Sequence, residues 1–193
     1  GKSTFIEAFG TFLTNLGRKV AVLAVDPSSG TTGGSLLGDK TRMPELSRNP
    51  SAYIRPSPNN CHLGGVTRTT NEAILLCEAG GFDIVIVETV GVGQSEYLVA
   101  DMVDMFCLLI PPAGGDELQG IKRGVIELAD LIVVNKADGD LKATARRSAA
   151  DYQHALRMLR SPTPGWTPEV TTSSAQTGDG VLEIWDVVER FNQ

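Results

Sequence analysis

Short aliphatic runs recur along the chain at residues 20–25, 84–87, 105–110 and 131–134, and each ends at a polar cluster. They are continuous rather than alternating, which predicts strands buried on both faces. Weaker runs at 170–173 and 52–55 predict two further short strands. Apolar positions at helical spacing fill the intervals. Residues 3–16 place Phe5, Phe9, Phe12, Leu13 and Leu16 on one side, and Gly17 supplies a stop. Residues 69–79 carry Ala73, Leu76 and Cys77 in register, and 118–128 carry Ile121, Val125 and Leu128. Residues 141–159 carry Tyr152, Leu156 and Leu159, and 181–191 carry Leu182, Trp185, Val188 and Phe191. Strands alternating with helices predict a doubly wound α/β domain, a mainly parallel sheet with helices on both faces.

Length and composition narrow this picture. A chain of 193 residues, 41% hydrophobic, fits one domain with a single core. The net charge is −6, and no Lys/Arg-rich run appears, so nucleic acid is not an expected partner. No apolar stretch nears the roughly 18–20 residues that cross a bilayer, so no membrane partner is expected either. Cys61, Cys77 and Cys107 form no CxxC pair, which fits free thiols in a reducing compartment. Cys77 and Cys107 lie in apolar runs and are expected in the core. Cys61 beside His62 makes no metal site by itself.

Gly and Pro cluster at residues 27–38, 56–65 and 111–115, next to strand ends. Ligands of open α/β sheets sit outside the carboxyl ends of strands, so chemistry is expected there. The cluster at 161–168 reads as a plain connection.

Four motifs carry the chemistry, in order. The chain opens Gly1-Lys2-Ser3-Thr4 and runs into an amphipathic helix, the tail of a GxxxxGK[ST] phosphate loop. In that loop, backbone N–H groups cradle phosphates, Lys2 reaches the β/γ oxygens and Ser3 ligates Mg²⁺. Taken alone, these four residues also fit a simple helix cap. Glu88-Thr89-Val90-Gly91 follows the 84–87 run, where many P-loop proteins carry DxxG. Its acid acts on Mg²⁺ and its glycine senses the γ-phosphate. The continuing Gly91-Val92-Gly93-Gln94 suits a switch segment, and Gln94 is a candidate for orienting water. Asn135-Lys136-Ala137-Asp138 follows the 131–134 run and matches the guanine-reading NKxD pattern. The Asp138 carboxylate can accept from the ring N–H and the exocyclic amine of guanine, donors that adenine does not pair in this way. Lys136 can lay its stem along the base, and Asn135 can brace neighbouring loops. Ser174-Ala175-Gln176, after the last strand, is similar to the SAK-type loop that closes over guanine. Asp26 and Asp39, with Glu88 and Ser3, could surround Mg²⁺ with oxygen ligands or waters. Asp26 also fits a turn residue, and Asp39 a helix cap.

The longer stretches AVDPSSGTTGGSLLGDKTRM, AYIRPSP, LGGVTRTTNEA, ETVGVGQSE and PPAGGDELQGIKRG resemble the methylmalonyl-CoA mutase-associated GTPases, the MeaB and ArgK relatives and the mitochondrial MMAA protein. The resemblance runs from Gly1 to about Phe191. Its wider group, the metallochaperone-type P-loop GTPases, carries Glu at the position of Glu88. The resemblance implies a Mg²⁺-dependent GTPase that binds GTP and GDP and serves an adenosylcobalamin-dependent methylmalonyl-CoA mutase. It would gate cofactor loading and protect the mutase. An adenosyltransferase is a further implied partner, and the full-length protein is implied to be a homodimer. By the same resemblance, Gly1, Lys2, Ser3 and Thr4 hold phosphate, with Lys2, Glu88 and Asp39 as the catalytic set. Ser3, Asp26, Asp39 and Glu88 form the metal sphere. Asn135, Lys136, Asp138, Ser174, Ala175 and Gln176 form the guanine pocket. Residues 111–124, with Asp116, Glu117, Gln119, Lys122 and Arg123, resemble a switch that relays nucleotide state; without the resemblance they read as a charged helix start. The implied compartment is the cytoplasm for a bacterial protein and the mitochondrial matrix for a eukaryotic one.

Against that pattern, the glycine-rich front of the phosphate loop and the strand before it are missing, and so is the family's C-terminal dimerisation extension. The chain is therefore expected to be a single truncated GTPase domain that on its own binds GTP poorly or fails to fold stably. Two other readings stand beside this one. A P-loop ATPase or kinase of basic amino-acid transport is opposed by NKxD. A nickel-type metallochaperone is opposed by the lack of a Cys/His cluster.

Overall fold

A computed structural model describes residues 1–25, 42–55, 63–89, 95–112 and 123–193. The described chain divides into two compact units, Lys2–Val103 and Asp104–Gln193, the latter including Gly1.

In the first of these, α1 (Lys2–Asn15) leads into β1 (Val20–Val25), β2 (Ala52–Arg55), α2 (Leu63–Ala79), β3 (Ile84–Thr89) and the short α3 (Ser95–Ala100). The strands form a parallel sheet in the order β2-β1-β3, with Val20 opposite both Ala52 and Ile84. All six residues of β1 are buried, as a continuous apolar run in the middle of a sheet demands. Ala21 and Leu23 pack on Ala73 and Cys77 of α2, with Ile74, Phe82 and Val85 around them.

Helix α1 buries Phe5, Ile6, Phe9, Gly10 and Leu13. Gly17 ends it at φ 81°, where Gly17 N donates to Thr14 O and Arg18 N to Leu13 O, the paired bonds of a glycine C-cap. A 3₁₀ turn at Leu46–Arg48 packs on this helix: Leu46 is fully buried. The Glu7 carboxylate accepts from the N–H groups of Glu45 (2.7 Å) and Leu46 (3.2 Å). It thereby satisfies two of the orphan donors at the start of that turn.

The second unit holds β4 (Cys107–Ile110), α4 (Arg123–Ile126), β5 (Leu131–Val134), α5 (Lys142–Leu156), β6 (Glu169–Thr172) and α6 (Val181–Phe191). Its parallel sheet has the order β4-β5-β6. The four residues of β5 are completely inaccessible to solvent. Asp130, just before β5, accepts the Phe106 N–H on Oδ2 at 2.9 Å. Its carbonyl takes the Trp166 Nε1–H at 3.0 Å. Trp166 also meets Phe191 edge-on at 5.1 Å between ring centres, so the 161–168 connection is pinned to the strand end. On β6, the Val170 N–H is capped by Gln153 Oε1 of α5 at 3.2 Å, which blunts an edge strand.

The doubly wound α/β class is borne out, with differences in detail. Helix α2 begins at Leu63, six residues ahead of the expected start, and runs through Gly64 and Gly65. The 141–159 helix is preceded by a 3₁₀ turn at Gly139–Leu141 and ends at Leu156. Leu76 and Leu182 do not join their helices' buried faces: they are 72% and 56% exposed. The buried stripe of α6 is Val181, Ile184 and Val187, offset by one residue. Cys107, expected in the core, is exposed: it opens β4, and among the described residues its side chain is not covered. Cys77 is buried as expected, and burial pushes its thiol pKa up despite the opposing charge of Arg55. Of the 118–128 helix, residues 118–122 lie outside the described residues. Among the described residues, no helix is long and apolar enough to cross a membrane.

Candidate functional site

Of the phosphate-side residues, Lys2, Ser3, Thr4 and Glu88 belong to the first unit and Gly1 to the second. Lys2 opens α1, so the first turn of that helix presents its unpaired backbone N–H groups and the positive end of its dipole. No acidic side chain occupies that turn to compete with an anion. Lys2 and Thr4 are exposed and Ser3 is half-buried. The Ser3 hydroxyl donates to Glu88 Oε1 at 3.4 Å. Glu88 stands near the carboxyl end of β3 and is only 7% exposed, the one buried residue of that strand. With the Ser3 hydroxyl beside it, the donor set is all oxygen, which suits a hard divalent ion such as Mg²⁺. Asp26, which follows β1 directly, lies outside the described residues, as do Asp39 and Gln94. Among the described residues no three His, Cys, Asp or Glu side chains converge on one point.

The base-side residues belong to the second unit, at the carboxyl end of β5. Asn135 is buried (5% exposed) and its N–H donates to Ile110 O at 2.8 Å, continuing the ladder. Its Oδ1 accepts the Lys136 N–H at 2.8 Å, and its Nδ2 reaches the Gly1 carbonyl at 3.4 Å. The side chain of Asn135 therefore ties its own loop to the backbone at Gly1. Lys136 adopts φ 58°, the only non-glycine with positive φ among the described residues. Such a conformation is held against its own strain by the bonds around it. It leaves the Lys136 side chain exposed, free to lie along a planar ligand. The next residue, Ala137, is buried and donates its N–H to Ser173 O at 3.0 Å. Asp138 is half-buried, and its Oδ2 accepts the Ser174 hydroxyl at 2.5 Å. Ser174 is wholly buried; Ala175 is half-buried and Gln176 exposed.

Asp138 and Ser174 are thus in direct contact, with Asn135 three residues ahead of Asp138 in the same loop. A charged hydrogen bond of this length fixes one oxygen of Asp138. The carboxylate can then present its remaining acceptor capacity to a pair of N–H donors. The sequence reading did not single out the turn at residues 177–180, although its Gly178 and Gly180 spacing signals backbone with positive φ, which both adopt at 79°.

A parallel α/β fold with a Gly-Lys-Ser-Thr helix start and an Asn-Lys-x-Asp loop at a strand's carboxyl end defines a P-loop GTPase-type chain. The profile of the family described as "Methylmalonyl Co-A mutase-associated GTPase MeaB" matches residues 1–193, and the chain belongs to that family. It is similar to the "Methylmalonic aciduria type A homolog, mitochondrial" of Mus musculus, 66% identical over 191 residues, covering 99% of this chain and 46% of that protein. It is also similar to "GTPase ArgK" of Escherichia coli (strain K12), 56% identical over 191 residues, covering 99% of this chain and 58% of that one. Among solved structures, one described as "Crystal structure of LAO/AO transport system kinase" aligns with TM-score 0.81 and 45% identity, over 100% of this chain and 55% of the other. The chain spans about half the length of the curated relatives it matches.

Proposed function

We propose that this chain is the GTP-binding and GTP-hydrolysing part of a chaperone for an adenosylcobalamin-dependent acyl-CoA mutase of the methylmalonyl-CoA type. The single observation that carries the choice of nucleotide is the Asp138 carboxylate held by Ser174, an acceptor pair matched to the ring N–H and amine of guanine. The family match over the whole chain, in a family described by its association with the mutase, supports the client. Gating of cofactor loading, protection of the mutase and a homodimeric full-length protein belong to the same proposal, as does an adenosyltransferase as further partner.

In this reading Asn135 braces the base loop and Lys136 covers the base. Ala175 and Gln176 of the Ser174 loop close over it. Lys2 neutralises charge on the β/γ oxygens, and the α1 N-terminus with Gly1 and Thr4 receives phosphate oxygens. Ser3 and Glu88 would hold Mg²⁺, with Asp26 and Asp39 completing its sphere. When bound, the ion offsets charge on the transferring phosphoryl group. Among the described residues of this set none is a strong base, so turnover is expected to be slow until a partner completes the site. Residues 111–124 are proposed to relay nucleotide state to the client. The compartment is the bacterial cytoplasm or the mitochondrial matrix, according to source.

A second reading, a transport-linked P-loop kinase, is favoured by the likeness to the solved transport system kinase. The guanine-type loop opposes it. Competition binding with ATP separates the two: the GTPase reading expects ATP to displace GTP weakly. For the chaperone role, the full-length protein is co-purified with candidate mutases, with and without a non-hydrolysable GTP analogue. A nucleotide-dependent complex supports the proposal, and absence of a complex with every mutase tried counts against it.

A further inference from the structure

The turn at residues 177–180 lies beyond the recognised motifs, yet it controls the hydroxyl that touches Asp138. Ser174 Oγ accepts the Thr177 N–H at 3.3 Å while it donates to Asp138 Oδ2. A hydroxyl has one proton. Receiving the Thr177 donor turns its lone pair to the backbone and leaves the proton for the carboxylate. The turn is itself tied to the strand end. The Asp179 carbonyl accepts both the Ser174 N–H (2.9 Å) and the Ser173 hydroxyl (3.1 Å), and the Gly178 N–H returns to Ser174 O at 2.9 Å.

This closure depends on glycine. Gly180 sits at φ 79°, and a Cβ there would collide with Thr172 O and fall 3.0 Å from Ser173 Cα. Both neighbours are backbone at the end of β6, so neither can swing aside as a side chain tip would. A larger residue must open the turn and move the Asp179 carbonyl away from Ser173 and Ser174.

We propose that the 177–180 turn, through the Asp179 carbonyl and Gly180, is a positioning device for base specificity. It orients the Ser174 hydroxyl so that its proton points at Asp138, and so sets the Asp138 carboxylate for the exocyclic amine of guanine. This inference rests on the GTP reading above. It predicts discrimination between guanine and hypoxanthine, which differ only in that amine.

The test uses the full-length protein and compares affinities for GTP and ITP in the wild type, Gly180→Ala and Ser173→Ala. Loss of a hydrogen bond to a charged group predicts roughly tenfold weaker GTP binding in Gly180→Ala, with ITP much less affected, so that the GTP:ITP ratio narrows. Ser173→Ala, which removes one of the two anchors without backbone strain, should narrow the ratio by a smaller factor. It also decides the matter if Gly180→Ala fails to fold. A purely structural role would weaken both nucleotides alike. If the soluble variants keep the wild-type ratio, the inference is overturned, whatever happens to their melting temperature. Asp138→Asn, assayed with xanthosine triphosphate, separates the two levels: a switched preference there with unchanged ratios here would sink this inference and spare the GTP reading.

Discussion

The Ser3 hydroxyl donates to a Glu88 carboxylate that is almost wholly buried, joining the first turn of α1 to the carboxyl end of β3. Eighty-five residues of sequence separate the pair. A buried carboxylate with a hydroxyl beside it offers two oxygens of the kind that hard cations take. Ser3→Ala should therefore weaken Mg²⁺-dependent nucleotide binding roughly tenfold, the scale of one hydrogen bond to a charged partner. Binding measured in EDTA should change far less. Calorimetric titration of nucleotide with and without Mg²⁺ checks this, and equal losses in both conditions would remove Ser3 from the metal sphere.

Gly10 illustrates how two magnitudes decide a sign. In an exposed helix, Gly→Ala gains about 1 kcal/mol from backbone propensity. Here a Cβ would lie 2.7 Å from Leu46 Cδ2, and Leu46 is fully enclosed. Overpacking of that kind costs about 1–3 kcal/mol. Gly10→Ala is therefore expected to lower stability in urea, and Leu46→Val in the same chain should recover part of the loss. A plain gain in stability from the single change would show that Leu46 can move.

Tyr152 offers the opposite case. Its side chain is 3% exposed, and its hydroxyl has no hydrogen-bond partner among the described residues. Tyr152→Phe removes a polar group that was buried without compensation, so it should stabilise the fold by about 1 kcal/mol. Burial also pushes the Tyr152 pKa up. The unfolded chain then ionises first as pH rises past about 10, and folding stability falls through that window. The phenylalanine variant should flatten this alkaline loss, which thermal melts across roughly pH 8 to 11 would show.

Much of this was legible in sequence because burial on two faces writes itself as an unbroken aliphatic run. Residues 20–25 and 131–134 are such runs, and each coincides with a strand. The loop after the second could be picked out because Asn135, Lys136 and Asp138 fit the Asn-Lys-x-Asp pattern directly after a buried run. What could not be read depends on partners distant in sequence. Met105 and Phe106 look like strand, yet Asp130 takes the Phe106 N–H into its own side chain, and β4 starts at Cys107. Leu182 matches the helical period of α6 but faces solvent, because neighbouring β-branched residues one step away fill the core instead. Gly64 and Gly65 read as loop, and helix α2 runs through them. The Glu7 clamp on Glu45 and Leu46 leaves no local signal, since an exposed-looking acid in a helix is ordinary. Asp26 and Asp39, named from sequence, lie outside the described residues.

Asp138 is proposed to read guanine. Asp138→Asn replaces an acceptor with an amide that can donate, which suits the C2 carbonyl of xanthine where guanine carries its amine. The most direct measurement is the affinity of the wild-type and Asp138→Asn full-length proteins for GTP and xanthosine triphosphate, side by side. The wild type is expected to prefer GTP and the variant to prefer xanthosine triphosphate. An unchanged preference in the variant would contradict the assignment of Asp138 and, with it, the choice of nucleotide.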